Sequence, residues 1–183
     1  MSTLGDKIVA LHLALEQAAL PHAFGGALAL AWCTERPRGT SDIDLNVFVD
    51  TSQTDLLLAA LPPQIEPTDT QIELIRRDSQ ARLFWDRTPI DLFLDTTDFH
   101  RDAMVRAQTH EFAGHRIPFL ACSDLAVFKA FFDRTKDWAD LEEMIAAGTL
   151  DRARVLGELV TYLGTEDHRV ARLLRLATED DRS

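Results

Sequence analysis

Apolar and polar residues alternate through residues 42–50: Ile43, Leu45, Val47 and Val49 share one parity, and Asp42, Asp44, Asn46 and Asp50 share the other. A period of two predicts a strand with one buried face. Residues 89–95 repeat the pattern, with Ile90, Leu92 and Leu94 opposite Asp91, Phe93 and Asp95. Residues 71–77 and 81–86 also read as strands, and 109–119, with Gly114 near the centre, as a hairpin. Between them the spacing turns helical. Leu4, Ile8, Leu11, Leu15 and Ala18 predict a helix over residues 4–20, ended by Pro21. Further helices are expected at 27–34, 53–61 and 98–107, with a loop at 35–41. After Phe119 the pattern is helical throughout: 124–136, 137–147, 151–163 and 166–177, with Ser123 as the first N-cap.

The expected architecture is α/β (α+β): a mixed β-sheet core flanked by helices over residues 1–122, then a C-terminal helical bundle over 123–183. No linker divides the chain and no repeat is present. An apolar fraction of 46% and a charged fraction of 27% describe an ordinary globular chain. No apolar run approaches the ~18 residues of a membrane span, and the N-terminus lacks signal-peptide character. Cys33 and Cys122 form neither a disulfide framework nor a metal-knuckle spacing, so a reducing cytoplasm is expected. The chain is also expected to be a monomer. Thirty acids against 19 bases give a net charge of −11, which opposes broad nucleic-acid coating but leaves room for a local basic groove.

The string that carries chemistry is Phe24-Gly25-Gly26, fifteen residues, then Asp42-Ile43-Asp44-Leu45. Carboxylates at i and i+2 of a strand project from one face and repel unless a cation lies between them. Hard oxygen ligands suit Mg²⁺ or Mn²⁺, held by one or two carboxylates together with substrate phosphates. Asp91, if its strand lies alongside, makes a trio able to hold two metals. Glycines 25 and 26 let the backbone approach a phosphate, and the helix that follows offers free N–H groups. Thr40 and Ser41 flank the carboxylates, where their hydroxyls are expected to contact the nucleotide. By parity Thr40 shares the face of Asp42 and Ser41 points away, which makes Thr40 the better position for a phosphate that silences the site.

This order resembles the nucleotidyltransferase superfamily with the polymerase-β-like fold, over roughly residues 21–95. The resemblance implies NTP as substrate, Asp42, Asp44 and Asp91 as catalytic metal ligands, Gly25 and Gly26 on the triphosphate, and Arg38 near the phosphates. Downstream, SDLAVFKAFFDRTKDWADLEEMI resembles the helical motif of AbiEii-type and MenT-type toxin nucleotidyltransferases, matching at Lys129, Arg134, Lys136, Asp137 and Asp140. On a continuous helix Lys129, Asp133, Asp137 and Asp140 form one polar stripe. That resemblance implies Lys129 as a triphosphate ligand, Asp137 orienting it, and a type IV toxin with a separately encoded antitoxin. The expected acceptor is RNA, a tRNA 3′ end, met by basic strips at Arg76, Arg77, Arg82 and Arg87, at Arg101 and Arg106, and at His168, Arg169, Arg172 and Arg175. The alternative acceptor is an antibiotic or a protein. The six histidines are expected to be structural or on the surface, and Trp32, Trp85 and Trp138 to be core.

Overall fold

The structure, a computed structural model, describes residues 2–36 and 39–180, with side chains to 176. It divides into two compact units: Met1–Leu28 with Gly39–Leu120, and Ala29–Arg38 with Ala121–Ser183.

The first unit is built on a six-stranded mixed sheet. Its strands are β1 (His22–Phe24), β2 (Ile43–Val47), β3 (Gln80–Trp85), β4 (Thr88–Leu94), β5 (Gln108–Phe112) and β6 (His115–Phe119), in the order β3-β4-β2-β1-β6-β5. The central pair β1·β2 is antiparallel, the pairs β2·β4 and β1·β6 on either side of it are parallel, and the outer pairs β3·β4 and β5·β6 are antiparallel. Ile43, Leu45, Val47, Ile90, Leu92 and Leu94 are buried, as the period of two requires. Helix α1 (Leu4–Gln17) starts at a capping box between Thr3 and Asp6 and buries Ile8, Leu11 and Leu15. Helices α3 (Thr54–Ala60), α4 (Asp69–Asp78) and α5 (Asp98–Arg106) complete the unit, with the start of α2 (Gly26–Thr34).

Three expectations change here. Residues 71–77 are helix α4, because Thr68 and Gln71 form a reciprocal capping box and Arg76 and Arg77 complement the dipole in the last turn. The strand expected at 42–50 pairs only over Ile43–Val47: Asn46 is buried, and Asp50 caps a 3-10 turn by accepting from the Ser52 N–H. The short central strand β1 follows Pro21 where no alternation was readable.

The second unit holds the rest of α2 with α6 (Cys122–Phe132), α7 (Thr135–Ala146), α8 (Arg152–Leu163) and α9 (His168–Asp180). Helix α6 packs against α7, α8 and α9. The helix expected at 124–136 stops at Asp133, whose φ of 55° is left-handed, and α7 restarts after Arg134. Ser123 lies inside α6 and accepts from the Asp151 N–H at 3.0 Å, so it is not the cap. The two cysteines, whose spacing suggested no disulfide framework, form a disulfide with Cα atoms 5.6 Å apart, joining the end of α2 to the start of α6. Their separation of 89 residues hid the pairing from local spacing. Trp85 and Trp138 are buried, whereas Trp32 is exposed. Among the described residues no helix is long and apolar enough to cross a membrane.

Candidate active site

Strand β2 buries Ile43 and Leu45, which turns Asp44 to the other face, and Asp42 precedes the strand by one residue. Strand β4 runs parallel to β2 with Asp44 aligned with Asp91. Aligned residues on neighbouring strands share a face, with backbones about 4.8 Å apart. The fold therefore brings Asp42, Asp44 and Asp91 to one face, each partly exposed.

The third carboxylate already has a partner. Arg82, on β3, is in register with Asp91. Its Nε and one terminal nitrogen donate to Oδ1 and Oδ2 of Asp91, each at 2.7 Å. These hydrogen bonds, then the Asp91 charge, hold the guanidinium pKa above its ordinary value, with smaller contributions from Asp42 and Asp44. Arg82 thus lies in the field of all three aspartates. Among the described residues, no three His, Cys, Asp or Glu side chains converge as a metal cage. The donor set at Asp42 and Asp44 nonetheless fits a Mg²⁺ or Mn²⁺ ion, which takes one or two carboxylates and completes its shell with water and phosphate oxygens.

Each of these two carboxylates is set by a neighbour. The Thr40 hydroxyl donates to Asp42 Oδ1 at 2.5 Å, which places Thr40 on the Asp42 side. Ser41 is exposed. Gly25 donates its N–H to the Asp44 carbonyl at 2.9 Å. A Cβ on Gly25 would meet Asn46 Nδ2 and Leu120 Cδ1, both at 3.2 Å; one on Gly26 would fall 1.8 Å from Asp44 Oδ2, and the Gly26 φ is +54°. The glycine pair thus admits the Asp44 carboxylate to the start of α2, where the helix dipole favours negative charge. Arg38 lies outside the described residues.

In the second unit, Lys129 is 6% exposed and bonds Asp140 Oδ2 at 2.6 Å, with Asp137 Oδ1 at 3.7 Å. Arg134, at the N-cap of α7, clasps Asp137 from its outer side at 2.6 and 3.1 Å. Asp133 faces elsewhere, accepting from Trp138 Nε1 at 2.7 Å and pairing with His168 at 2.6 Å. The break between α6 and α7 therefore splits the expected stripe. Lys129 sits between two buried carboxylates, with Asp140 as the nearer.

Sequence reasoning did not foresee Arg82 as the partner of Asp91. Counting outward from the turn between Trp85 and Thr88 finds it. Two of the histidines expected to be structural or on the surface meet: His12 Nδ1 lies 2.9 Å from His22 Nε2 in the core of the first unit, with His22 Nδ1 on the Leu20 carbonyl at 2.8 Å. Burial pushes both pKa values down, and Glu16 opposes the shift.

The fold is of the nucleotidyltransferase-like class. The solution structure of the antibiotic-resistance factor ANT(2'')-Ia matches with a TM-score of 0.53 and 17% identity, over 97% of this chain and 91% of that one. The crystal structure of ANT(2'')-Ia in complex with adenylyl-2''-tobramycin matches with a TM-score of 0.53 and 16% identity, over 97% and 99% of the two chains. An antigenic nucleotidyltransferase-like protein from Paracoccidioides brasiliensis matches over 91% and 92%, with 17% identity and a TM-score of 0.48. No protein-family model matches the chain, and no curated protein matches it in sequence.

Proposed function

We propose that this chain is a metal-dependent nucleotidyltransferase that moves NMP from an NTP to an acceptor hydroxyl and releases pyrophosphate. The observation that carries the reading is the face shared by Asp42, Asp44 and Asp91, with Gly26 opening the start of α2 to the Asp44 carboxylate. Asp42 and Asp44 are assigned to a Mg²⁺ or Mn²⁺ ion, with Asp91 as the third carboxylate of the face. A divalent cation bound there supplies Lewis-acid polarisation of the phosphoryl oxygens. Thr40 orients Asp42. With the Gly25 N–H held by the Asp44 carbonyl, the first N–H groups of α2, from Gly26 on, receive phosphate oxygens. The acceptor oxygen bonds the α-phosphorus, the bond from that phosphorus to the β-phosphate bridge breaks, and the hydroxyl proton leaves to base or water. Lys129 and Asp137 belong to the NTP-binding set only if Lys129 leaves Asp140.

For the acceptor we favour a small, positively charged polyhydroxyl compound. The similarity to ANT(2'')-Ia spans nearly all of both chains, and a net charge of −11 favours a cationic acceptor. Several arginines of the expected basic strips are matched by carboxylates: Arg76 with Asp55, Arg77 with Asp78, Arg82 with Asp91, Arg101 with Asp98 and Arg169 with Asp167. That pairing weakens their offer to a polyanion. The tRNA acceptor, and with it the toxin role and a separate antitoxin, rests on the motif around Lys129. Incubation with α-labelled NTPs and Mg²⁺, beside separate aminoglycoside, total tRNA and protein acceptors, tests the reading. Label on the aminoglycoside supports it. Label on tRNA moves the chain to the toxin reading, label on protein to a protein-modifying transferase, and label on none of the three with any NTP removes the proposal.

A further inference from the structure

The guanidinium of Arg82 is the most telling group that the proposed reaction does not use. It takes both oxygens of Asp91 at once, at 2.7 Å each. Its side chain is 56% exposed, whereas that of Asp91 is 21% exposed. Its position is not accidental. The β3·β4 register sets Arg82 directly across from Asp91, and Gln71 of α4 donates its side-chain N–H to the Arg82 carbonyl at 2.6 Å, holding the backbone in place. The strand is thus fixed while the long side chain can swing into solvent. A half-exposed pair of this kind is worth on the order of 1 kcal/mol, its bidentate fork placing it at the strong end for such pairs, and a divalent cation is a strong enough competitor for Asp91 to break it.

We infer that Arg82 is a latch on the metal site: while it grips Asp91 the face offers a divalent cation two carboxylates, and its departure supplies the third. This rests on the proposed site at Asp42 and Asp44. Two like charges near each other cost energy, so a cation between Asp42 and Asp44 also repels the guanidinium. Binding of the cation and release of Arg82 therefore favour one another. The freed guanidinium is then a mobile donor suited to bidentate contact with a phosphate. Arg82 is a positioning residue acting through Asp91, and it sets how many carboxylates the site presents before the nucleotide arrives.

The test is a Mn²⁺ titration of the full chain without nucleotide, read by electron paramagnetic resonance. Arg82→Gln should tighten Mn²⁺ binding by roughly fivefold, which is about 1 kcal/mol. Arg82→Lys, which keeps the charge and loses the fork, should fall between the two. Adding Asp91→Asn to Arg82→Gln should remove the gain. Unchanged or weaker binding in Arg82→Gln, with near-ultraviolet circular dichroism as in the parent chain, overturns the latch. So does a gain that survives Asp91→Asn. Asp44→Asn separates this inference from its foundation. If Asp44→Asn leaves Mn²⁺ binding of the parent chain intact, the metal site itself is misassigned; if it abolishes binding while Arg82→Gln gives no gain, only the latch fails.

Discussion

The carboxylate of Asp44 occupies the space that a side chain on residue 26 would need: a Cβ there would lie 1.8 Å from Asp44 Oδ2 and 2.4 Å from its Cγ. Gly26→Ala therefore does two things. It places alanine at a φ of +54°, and it drives Asp44 from its position. The left-handed backbone alone costs on the order of 1 kcal/mol, and the collision adds to it. Thermal unfolding should show a loss of about 2 kcal/mol or more, and transfer activity should fall with it. Gly25→Ala meets Asn46 and Leu120 at 3.2 Å and should be milder. A Gly26→Ala chain with parental melting temperature and turnover contradicts the close approach.

Thr40 holds Asp42 through its hydroxyl, which donates to the carboxylate and accepts from the Asp42 N–H. Thr40→Val keeps the shape and removes the donor, so kcat should fall by roughly tenfold, matching a charge-assisted bond of about 1.5 kcal/mol. Thr40→Ser should restore most of it. Parental kcat in Thr40→Val contradicts a role for the hydroxyl, and a loss in Thr40→Ser alone assigns the effect to the methyl group.

Lys129 neutralises carboxylates that are 0–1% exposed, at Asp137 and Asp140. Lys129→Met strands that charge, and removing one partner of a buried pair costs about 3–5 kcal/mol. The first effect should be on stability, seen as a lowered midpoint in urea. Adding Asp137→Asn and Asp140→Asn should recover much of the loss. If the recovered triple variant binds NTP as the parent does, Lys129 is structural; if its midpoint recovers and NTP binding does not, Lys129 is a triphosphate ligand.

His12, His22 and His100 all have pKa values pushed down, first by burial. In the unfolded chain they regain a value near 6.5. Below that pH the unfolded state binds more protons than the folded one, so stability is full above about pH 6.5 and is lost as the pH falls toward the folded values. The melting temperature should drop by several degrees between pH 7.5 and 5.5, since 1 kcal/mol is worth roughly 2–4 °C at this size. His12→Gln with His22→Gln should flatten the slope. A melting temperature constant over that window contradicts the buried neutral pair.

The site was more legible than its surroundings. The alternation of Ile43, Leu45 and Val47, repeated at Ile90, Leu92 and Leu94, was enough to place Asp44 and Asp91 on exposed parities of two strands. Their alignment needed only that the strands be parallel neighbours, which the structure provides. Helix α4 was misread because Ile72 and Leu74 alternate over a few residues, although the Thr68–Gln71 capping box was present in the sequence. The break at Asp133 carried no glycine or proline signal. The Cys33–Cys122 and His12–His22 pairs depend on packing between elements, which periodicity does not encode. The Arg82–Asp91 pair was hidden for a simpler reason: a basic residue on a strand reads as solvated charge until the hairpin register is fixed.

If Asp42 and Asp44 hold the cation on which nucleotidyl transfer depends, loss of either carboxylate must stop the reaction. Asp42→Asn and Asp44→Asn each remove one charge from a partly exposed cluster and should leave the fold intact. The most direct measurement is pyrophosphate release from NTP, with Mg²⁺ and an acceptor that the parent chain labels, compared across the parent, Asp42→Asn and Asp44→Asn at matched folding by circular dichroism. Release in the parent should stop with EDTA, and each variant should lower it by at least about a thousandfold, roughly 4 kcal/mol of barrier. Undiminished Mg²⁺-dependent release in either variant would contradict it.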